Sequence, residues 1–124
     1  LRFGNLIVCG TRGWVLPEPN RPLNERDNKI FLRETERLKL SLGAMEKLRQ
    51  EGDRVICIMH YPPFNGRHDE SEFIRQLILH DVDTVVYGHL HGKDVRSDLI
   101  VRKFNMNFWL TSADLIDFKL TEIV

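Results

Sequence analysis

Three of the five histidines follow directly on two apolar, β-rich runs, where they could bind a metal ion or a phosphate group. The first run, residues 54–59, leads into His60, and the second, residues 82–87, leads into His89 and His91. Both runs are typical of buried parallel strands. Because open α/β sheets bind ligands at the carboxyl ends of their strands, these positions predict a metal or phosphate site.

The spacing of the histidines supports this interpretation. His60 and His89 are separated by roughly 30 positions, the length of one βαβ unit. A right-handed crossover would return the second strand next to the first, about 4.8 Å away. Imidazoles at the two strand ends could then reach one ion at about 2.0–2.1 Å each. His91, two residues beyond His89 on an extended backbone, would share its face and reach a second ion.

The alternative is that these histidines are incidental residues of exposed loops. That reading would be favoured for either cluster alone, but two clusters at matched strand ends favour a site. The other two histidines are expected to be structural or solvated. His68 falls in a polar loop, and His80 falls in the last turn of a predicted helix, where a cation is favoured by the helix dipole.

Segments along the whole chain resemble the calcineurin-like metallophosphoesterases, and most of all the small bacterial proteins described as predicted phosphohydrolases. The resemblance keeps its order from one end of the chain to the other. Its segments are Gly10 to Trp14, Arg33-Glu34 with Arg37-Leu38 and Ser41-Leu42, residues 59–63, residues 87–92, and residues 117–119.

The resemblance implies a two-metal site built from five signatures, of which this sequence holds two. His60 matches the isolated histidine, and His89 with His91 matches Gly-His-x-His. The Asp-x-His, Gly-Asp-x-x-Asp and Gly-Asn-His signatures are missing from the sequence. Residues 1–124 therefore look like the carboxy-terminal half of such a domain, and the catalytic residues are expected upstream of Leu1.

The missing carboxylates have a chemical consequence. Two dications about 3.5–4 Å apart repel each other, and a bridging carboxylate compensates that repulsion. Neutral imidazoles cannot do so. We therefore expect two divalent ions in the full-length parent and at most one on this chain alone. Mixed imidazole and carboxylate ligands suit Mn, Fe or Zn better than Mg or Ca.

The leading hypothesis is metal-dependent phosphoester hydrolysis by the parent protein, with this chain inactive alone. A second hypothesis is a non-catalytic metal-binding or interaction module that keeps the phosphoesterase fold. A third is a half-protein that acts only when joined to a complementary chain. The resemblance gives the reaction class and leaves the substrate open.

Arg12 and Tyr61 are the candidates for substrate binding. Arg12, in a glycine-flanked turn, could offer a guanidinium fork to a phosphate, or it could pair with a nearby carboxylate. Tyr61 could line the pocket beside His60, although Pro62 and Pro63 suggest that it mainly shapes the turn. We predict that Trp14 is a packing residue, and nothing in the sequence places Asp114 near the histidines.

Composition limits the partners. The chain has 124 residues, a formal net charge of zero and a pI near 7.1. These values predict no nucleic-acid or anionic-membrane partner. Apolar runs are too short for a signal sequence or a membrane span. Cys9 and Cys57 lie in apolar strand patterns, which favours reduced, buried thiols and a cytoplasmic protein.

The pattern of elements predicts an α/β fold with a mixed sheet, in which βαβαβ is followed by an antiparallel meander. The resemblance makes this half of an α/β/β/α sandwich. The open sheet edge and apolar face would then be covered by the missing amino-terminal half or by a second copy. The predicted strands are 5–9, 54–59, 82–87, 99–104, 108–111 and 115–123, and the predicted helices are 28–51 and 69–80.

Two features of the helices are also predicted. Asp69 and Glu72 should form a capping box at the start of the second helix. The charged surface of the first helix around Arg33, Glu34, Glu36 and Arg37 should be solvated.

Overall fold

A six-stranded mixed sheet with two α-helices makes up the fold, in a computed structural model that describes residues 1–92 and 97–124. The predicted α/β class is confirmed. The strands are β1 (Arg2–Phe3), β2 (Leu6–Thr11), β3 (Arg54–Met59), β4 (Thr84–Tyr87), β5 (Ile100–Lys103) and β6 (Met106–Leu110). The helices are α1 (Glu25–Leu48) and α2 (Glu72–Leu79), followed by a 3₁₀ turn at Ala113–Ile116.

The strands are ordered β1-β2-β3-β4-β6-β5 across the sheet. The central strands β2, β3, β4 and β6 are parallel, and the edge strands β1 and β5 are antiparallel to their neighbours. The predicted βαβαβ unit is confirmed as β2-α1-β3-α2-β4. Its consequence for the site is that β3 and β4 lie side by side, so that the residues after them emerge at one edge of the sheet.

Both helices begin where a polar side chain caps them. The Asn24 side chain accepts a hydrogen bond from the Asp27 N–H at 2.8 Å, which starts α1 three residues before the predicted position. Ser71 caps α2 by accepting from the Ile74 N–H at 3.1 Å. The predicted Asp69 capping box is therefore wrong, because the Asp69 carboxylate instead accepts from Arg67 at 3.0 Å.

The carboxy-terminal prediction is partly wrong. β5 and β6 form the expected antiparallel pair, but the predicted strand 115–123 is replaced by the 3₁₀ turn and irregular chain. Asp117 and Phe118 have φ values of 54° and 55°, in a left-handed region that a β-strand cannot use. The predicted three-strand meander is thus a hairpin whose second strand also pairs in parallel with β4.

One face of the sheet carries the hydrophobic core. Because the strand order advances in one direction from β2 to β4, two right-handed crossovers place α1 and α2 on the same side. Phe31 of α1 meets Phe73 of α2 with ring centroids 5.4 Å apart. The fully buried members of this core include Ile7, Leu38, Leu42, Val55, Cys57, Phe73, Ile74, Leu77, Val85 and Phe108.

The opposite face, here called the open face, carries apolar side chains that the described residues leave exposed. Strand register places Phe3, Ile58 and Ile100 on it, and they are 61%, 50% and 57% exposed. Trp109 shares this face, and its buried Nε1 has no hydrogen-bond partner among the described residues. Exposed apolar side chains on one sheet face are a feature of many interaction sites.

Candidate functional site

His60 and His89 come together at the carboxyl edge of the sheet, as the sequence predicts. β3 ends at Met59 and β4 at Tyr87, and the two strands are parallel neighbours. A hydrogen bond from the Gly88 N–H to the His60 carbonyl, at 3.1 Å, joins the strand ends. The two imidazole centroids are 5.3 Å apart, with 72° between the ring planes.

The backbone at His89 is turned, where an extended chain was expected. His89 has a φ of 70°, and the Leu90 N–H donates to the Gly88 carbonyl at 2.9 Å. This is a three-residue turn around His89, of the rarer left-handed kind. With this turn, the His89 ring lies beside that of His60. The expectation of an extended segment from His89 to His91 is therefore wrong.

His91 is held by a carboxylate that the sequence did not connect to it. The His91 Nδ1 lies 3.0 Å from Asp114 Oδ1, and the Gly92 N–H donates to Asp114 Oδ2 at 2.9 Å. The Gly92 hydrogen bond, followed by the His91 contact, lowers the pKa of Asp114. Asp114 reaches this position because it lies in the 3₁₀ turn, whereas the sequence pattern had favoured strand in this region.

The electrostatics of the pair keep His89 neutral over a wider pH range. Partial burial, and then the charges of His60 and His91, lower the pKa of His89 below its usual value. A neutral imidazole is the form that binds metal ions. The surroundings of His89 therefore favour its ligating form.

Arg12 pairs with a buried carboxylate. Its Nη2 lies 2.8 Å from Glu34 Oε1, and the Arg12 side chain as a whole is 43% exposed. Glu34 also accepts from Thr11 Oγ1 at 3.0 Å and from Arg37 Nη1 at 3.1 Å. Of the two interpretations of Arg12, the structure shows carboxylate pairing. Glu34 is 0% exposed, so its prediction as part of a solvated helix surface is wrong.

Replacing Glu34 with Ala is expected to lower the free energy of unfolding by about 2 kcal/mol, since Thr11, Arg12 and Arg37 would lose a fully buried acceptor. The two arginines can rehydrate, which keeps the loss below that of a fully buried pair. Chemical denaturation would measure it. Glu36→Ala is the matched control, because Glu36 forms an exposed pair with Lys39 and should change stability by less than about 0.5 kcal/mol. Equal effects of the two variants would contradict the assignment.

A row of aromatic rings borders the histidine pair. The ring centroids of Trp14 and Tyr61 are 5.0 Å apart, and those of Tyr61 and His89 are 4.2 Å apart. The row forms because the N–H groups of His60 and Tyr61 both donate to the Arg12 carbonyl, at 3.1 and 2.9 Å, which joins the ends of β2 and β3. Tyr61 therefore lines the candidate site, as one of its two predicted roles requires.

The two remaining histidines lie apart from this pair. His80 Nδ1 lies 3.2 Å from Glu46 Oε1 at the far ends of the helices, which agrees with its predicted structural role. His68 packs on Phe64 with ring centroids 4.6 Å apart. Within residues 1–92 and 97–124, no group of three or more His, Cys, Asp or Glu side chains is placed to hold a metal ion. Among the described residues, the His60–His89 pair therefore has no third side chain of these types grouped with it.

Comparison with known proteins adds no family assignment. The chain matches no protein-family model and no curated protein. The likeness to metallophosphoesterases consequently stays a prediction from the motifs. In the described part of the chain, no helix has the length and apolar character needed to cross a membrane.

Proposed function

We propose that this chain contributes His60, His89 and His91 to the metal site of a phosphoester hydrolase. The observation that carries the proposal is the 5.3 Å separation of the His60 and His89 rings at the ends of neighbouring parallel strands. Two imidazole nitrogens, each about 2.0–2.1 Å from one tetrahedral ion, would leave their ring centres about 5 Å apart. The observed spacing fits a shared ion.

The contact between His91 and Asp114 supports the same proposal. A metal-binding histidine usually donates its second ring N–H to a carboxylate, which fixes the ring and raises its basicity. With Nδ1 facing Asp114, His91 has Nε2 without a hydrogen-bond partner among residues 1–92 and 97–124, and this nitrogen would bind the ion. In the proposal, His60 and His89 bind one ion and His91 binds a second.

The proposed ions are Mn, Fe or Zn, which accept imidazole and carboxylate ligands together. When bound, such ions polarise a phosphoryl oxygen and lower the pKa of bound water toward about 7. This chain's share of the work is to fix the imidazoles at the sheet edge, with Asp114 orienting His91. A bridging carboxylate and the remaining ligands come from another polypeptide segment, so the chain alone holds one ion at most.

The open face is the surface on which we propose that this segment docks. Phe3, Ile58 and Ile100 would be buried by a second layer, in keeping with half of a sandwich. Either the complementary half or a second copy of the chain could supply that layer. The alternative function, a non-catalytic interaction module with the same fold, is favoured by the same exposed apolar surface.

The isolated chain is therefore expected to associate as its concentration rises and to bind an apolar dye. Size-exclusion chromatography with light scattering would measure the association. Ile58→Gln should weaken both association and dye binding, since it places a polar group on the open face. Leu40→Gln is the control, because Leu40 is exposed on α1, away from that face. A monomer at high concentration that binds no dye would count against the proposal.

Metal affinity should depend on the three proposed ligands. In calorimetric titrations with Zn²⁺ or Mn²⁺, His60→Ala and His89→Ala should each lower the affinity at least tenfold, because each removes a direct ligand. In the protein joined to the missing segment, where the second ion is expected, Asp114→Asn should lower the affinity of the His91 site about tenfold by loosening its ring. His68→Ala and His80→Ala serve as controls. The ligand assignment fails if either control weakens binding as much as His89→Ala does.

A further inference from the structure

Trp14 is held in a fixed orientation although it is only half-buried. The Arg12 guanidinium carbon lies 4.7 Å from the centre of the Trp14 rings, over one face of the indole. The indole Nε1–H donates to Asp27 Oδ1 at 3.3 Å, which limits rotation in the ring plane. Arg12 is itself anchored by buried Glu34. Arg12, after β2, and Asp27 and Glu34, on α1, thus hold one aromatic ring in place at the mouth of the site.

The fixed ring lines a cavity that extends to His89, one member of the histidine pair. The cavity has a volume of about 270 Å³, and Trp14, Tyr61 and His89 lie along its wall. Pro62, Phe64 and Leu90 complete an apolar lining, and Glu18 is its one carboxylate among the described residues. Ligand sites are typically concave, apolar and aromatic, with a few polar groups that set orientation.

The order of the rings fixes where a ligand would lie. Trp14, Tyr61 and His89 follow one another with centroid separations of 5.0 and 4.2 Å, and His89 is 5.3 Å from His60. A phosphoryl group bound at the histidines would therefore leave its ester substituent beside Tyr61 and Trp14. Because Arg12 occupies one face of the indole, the substituent would meet the other. An apolar lining with a carboxylate disfavours an anionic substituent there.

We propose that this cavity is a subsite for a neutral, planar aromatic substituent of the phosphoester, such as an aryl group or a nucleobase. The assignment of the phosphate end rests on the proposed function. The aromatic end rests on the geometry of Trp14 and Tyr61. Trp14 is then a specificity-determining residue, which differs from the packing role that its sequence context predicted.

The test compares phenyl phosphate with cyclohexyl phosphate, which has a saturated ring of similar size. Calorimetry on the full chain in Mn²⁺ should show about tenfold tighter binding of phenyl phosphate, as expected for one aromatic stacking contact. Trp14→Leu should reduce this preference to nearly one while changing cyclohexyl phosphate affinity by less than about twofold. Trp109→Phe, on the open face, should leave the preference unchanged.

The Trp109→Phe protein also gives a second measurement that keeps the Trp14 side chain. The sequence contains two tryptophans, so this variant leaves Trp14 as the single one. Its fluorescence should be quenched by phenyl phosphate and not by cyclohexyl phosphate. This result does not depend on whether Trp14→Leu folds.

Each outcome has a defined meaning. Equal affinity for the two phosphates, a preference that survives Trp14→Leu, or no binding of phenyl phosphate at millimolar concentration would overturn the subsite. Failure of the proposed function appears differently, in His60→Ala. If that variant weakens neither ligand while the aromatic preference persists, the metal and phosphate assignment is wrong and the aromatic cavity stands. If His60→Ala weakens the binding of both phosphates and the wild type shows no preference for phenyl phosphate, the metal and phosphate assignment stands and the aromatic subsite is wrong.

Discussion

The isolated chain should hydrolyse 4-nitrophenyl phosphate negligibly in saturating Mn²⁺, and joining it to the polypeptide that supplies the missing ligands should restore metal-dependent turnover. Stabilisation of developing charge by the ions, together with protonation of the leaving group, supplies most of the rate of such reactions. General acid–base help alone contributes about 10²–10⁴-fold. The described residues provide imidazoles at one sheet edge and no three-ligand metal group.

In the restored protein, His89→Ala should lower kcat/KM by at least about 100-fold, because loss of a ligand displaces an ion from the reacting phosphate. His80→Ala is the control, since His80 contacts Glu46 far from the site and should change kcat/KM less than twofold. The decisive contrary result would be strong hydrolysis by the isolated chain that survives both His60→Ala and His89→Ala.

Gly10→Ala should be the most destabilising of the glycine substitutions. A Cβ at this position would lie 2.0 Å from the Ile58 carbonyl oxygen on the neighbouring strand, and the Gly10 φ is 155°. Since backbone atoms must move to relieve the clash, we expect a loss of about 3 kcal/mol or more in the free energy of unfolding. Urea denaturation would measure it, and the ends of β2 and β3 would separate at the candidate site.

Gly43→Ala is the matched control for that substitution. Gly43 lies inside α1, and a Cβ there meets no atom of the described residues within 4 Å beyond its own helix. Replacing glycine with alanine in a helix interior should raise stability by about 1 kcal/mol. The two substitutions should therefore have opposite signs. A Gly10→Ala protein as stable as the wild type would show that β2 and β3 are less closely packed than the structure shows.

Features set by local pattern were predictable from the sequence. The boundaries of β3 agree with the prediction, because its apolar run is delimited by Gly52-Asp53 and by His60. The approach of His60 to His89 followed from the length of the βαβ unit, since a right-handed crossover of that length returns to the adjacent position. The sequence pattern alone therefore predicts contacts between strands that are consecutive in the chain and adjacent in the sheet.

Features set by tertiary context were not predictable. Glu34 lies among charged residues on α1, and only the position of β2 beneath it, with Thr11 and Arg12, explains its burial. Asp114 meets His91 because it lies in a 3₁₀ turn, after which Asp117 and Phe118 adopt left-handed backbone conformations. Asp and Phe carry no sequence signal as strong as glycine for that conformation. β1 was missed because two residues give no periodicity.

The turned backbone at His89 has a consequence for stability. A non-glycine residue with a φ of 70° at the centre of a three-residue turn carries a conformational cost of about 1–3 kcal/mol. In return, the turn holds the His89 imidazole beside His60 before any ligand arrives. Less ordering of the side chain would then remain when an ion binds. Glycine at this position would relax the turn and stabilise the fold while removing the imidazole. Under the proposed function, selection for stability and selection for metal binding would therefore oppose each other at this position.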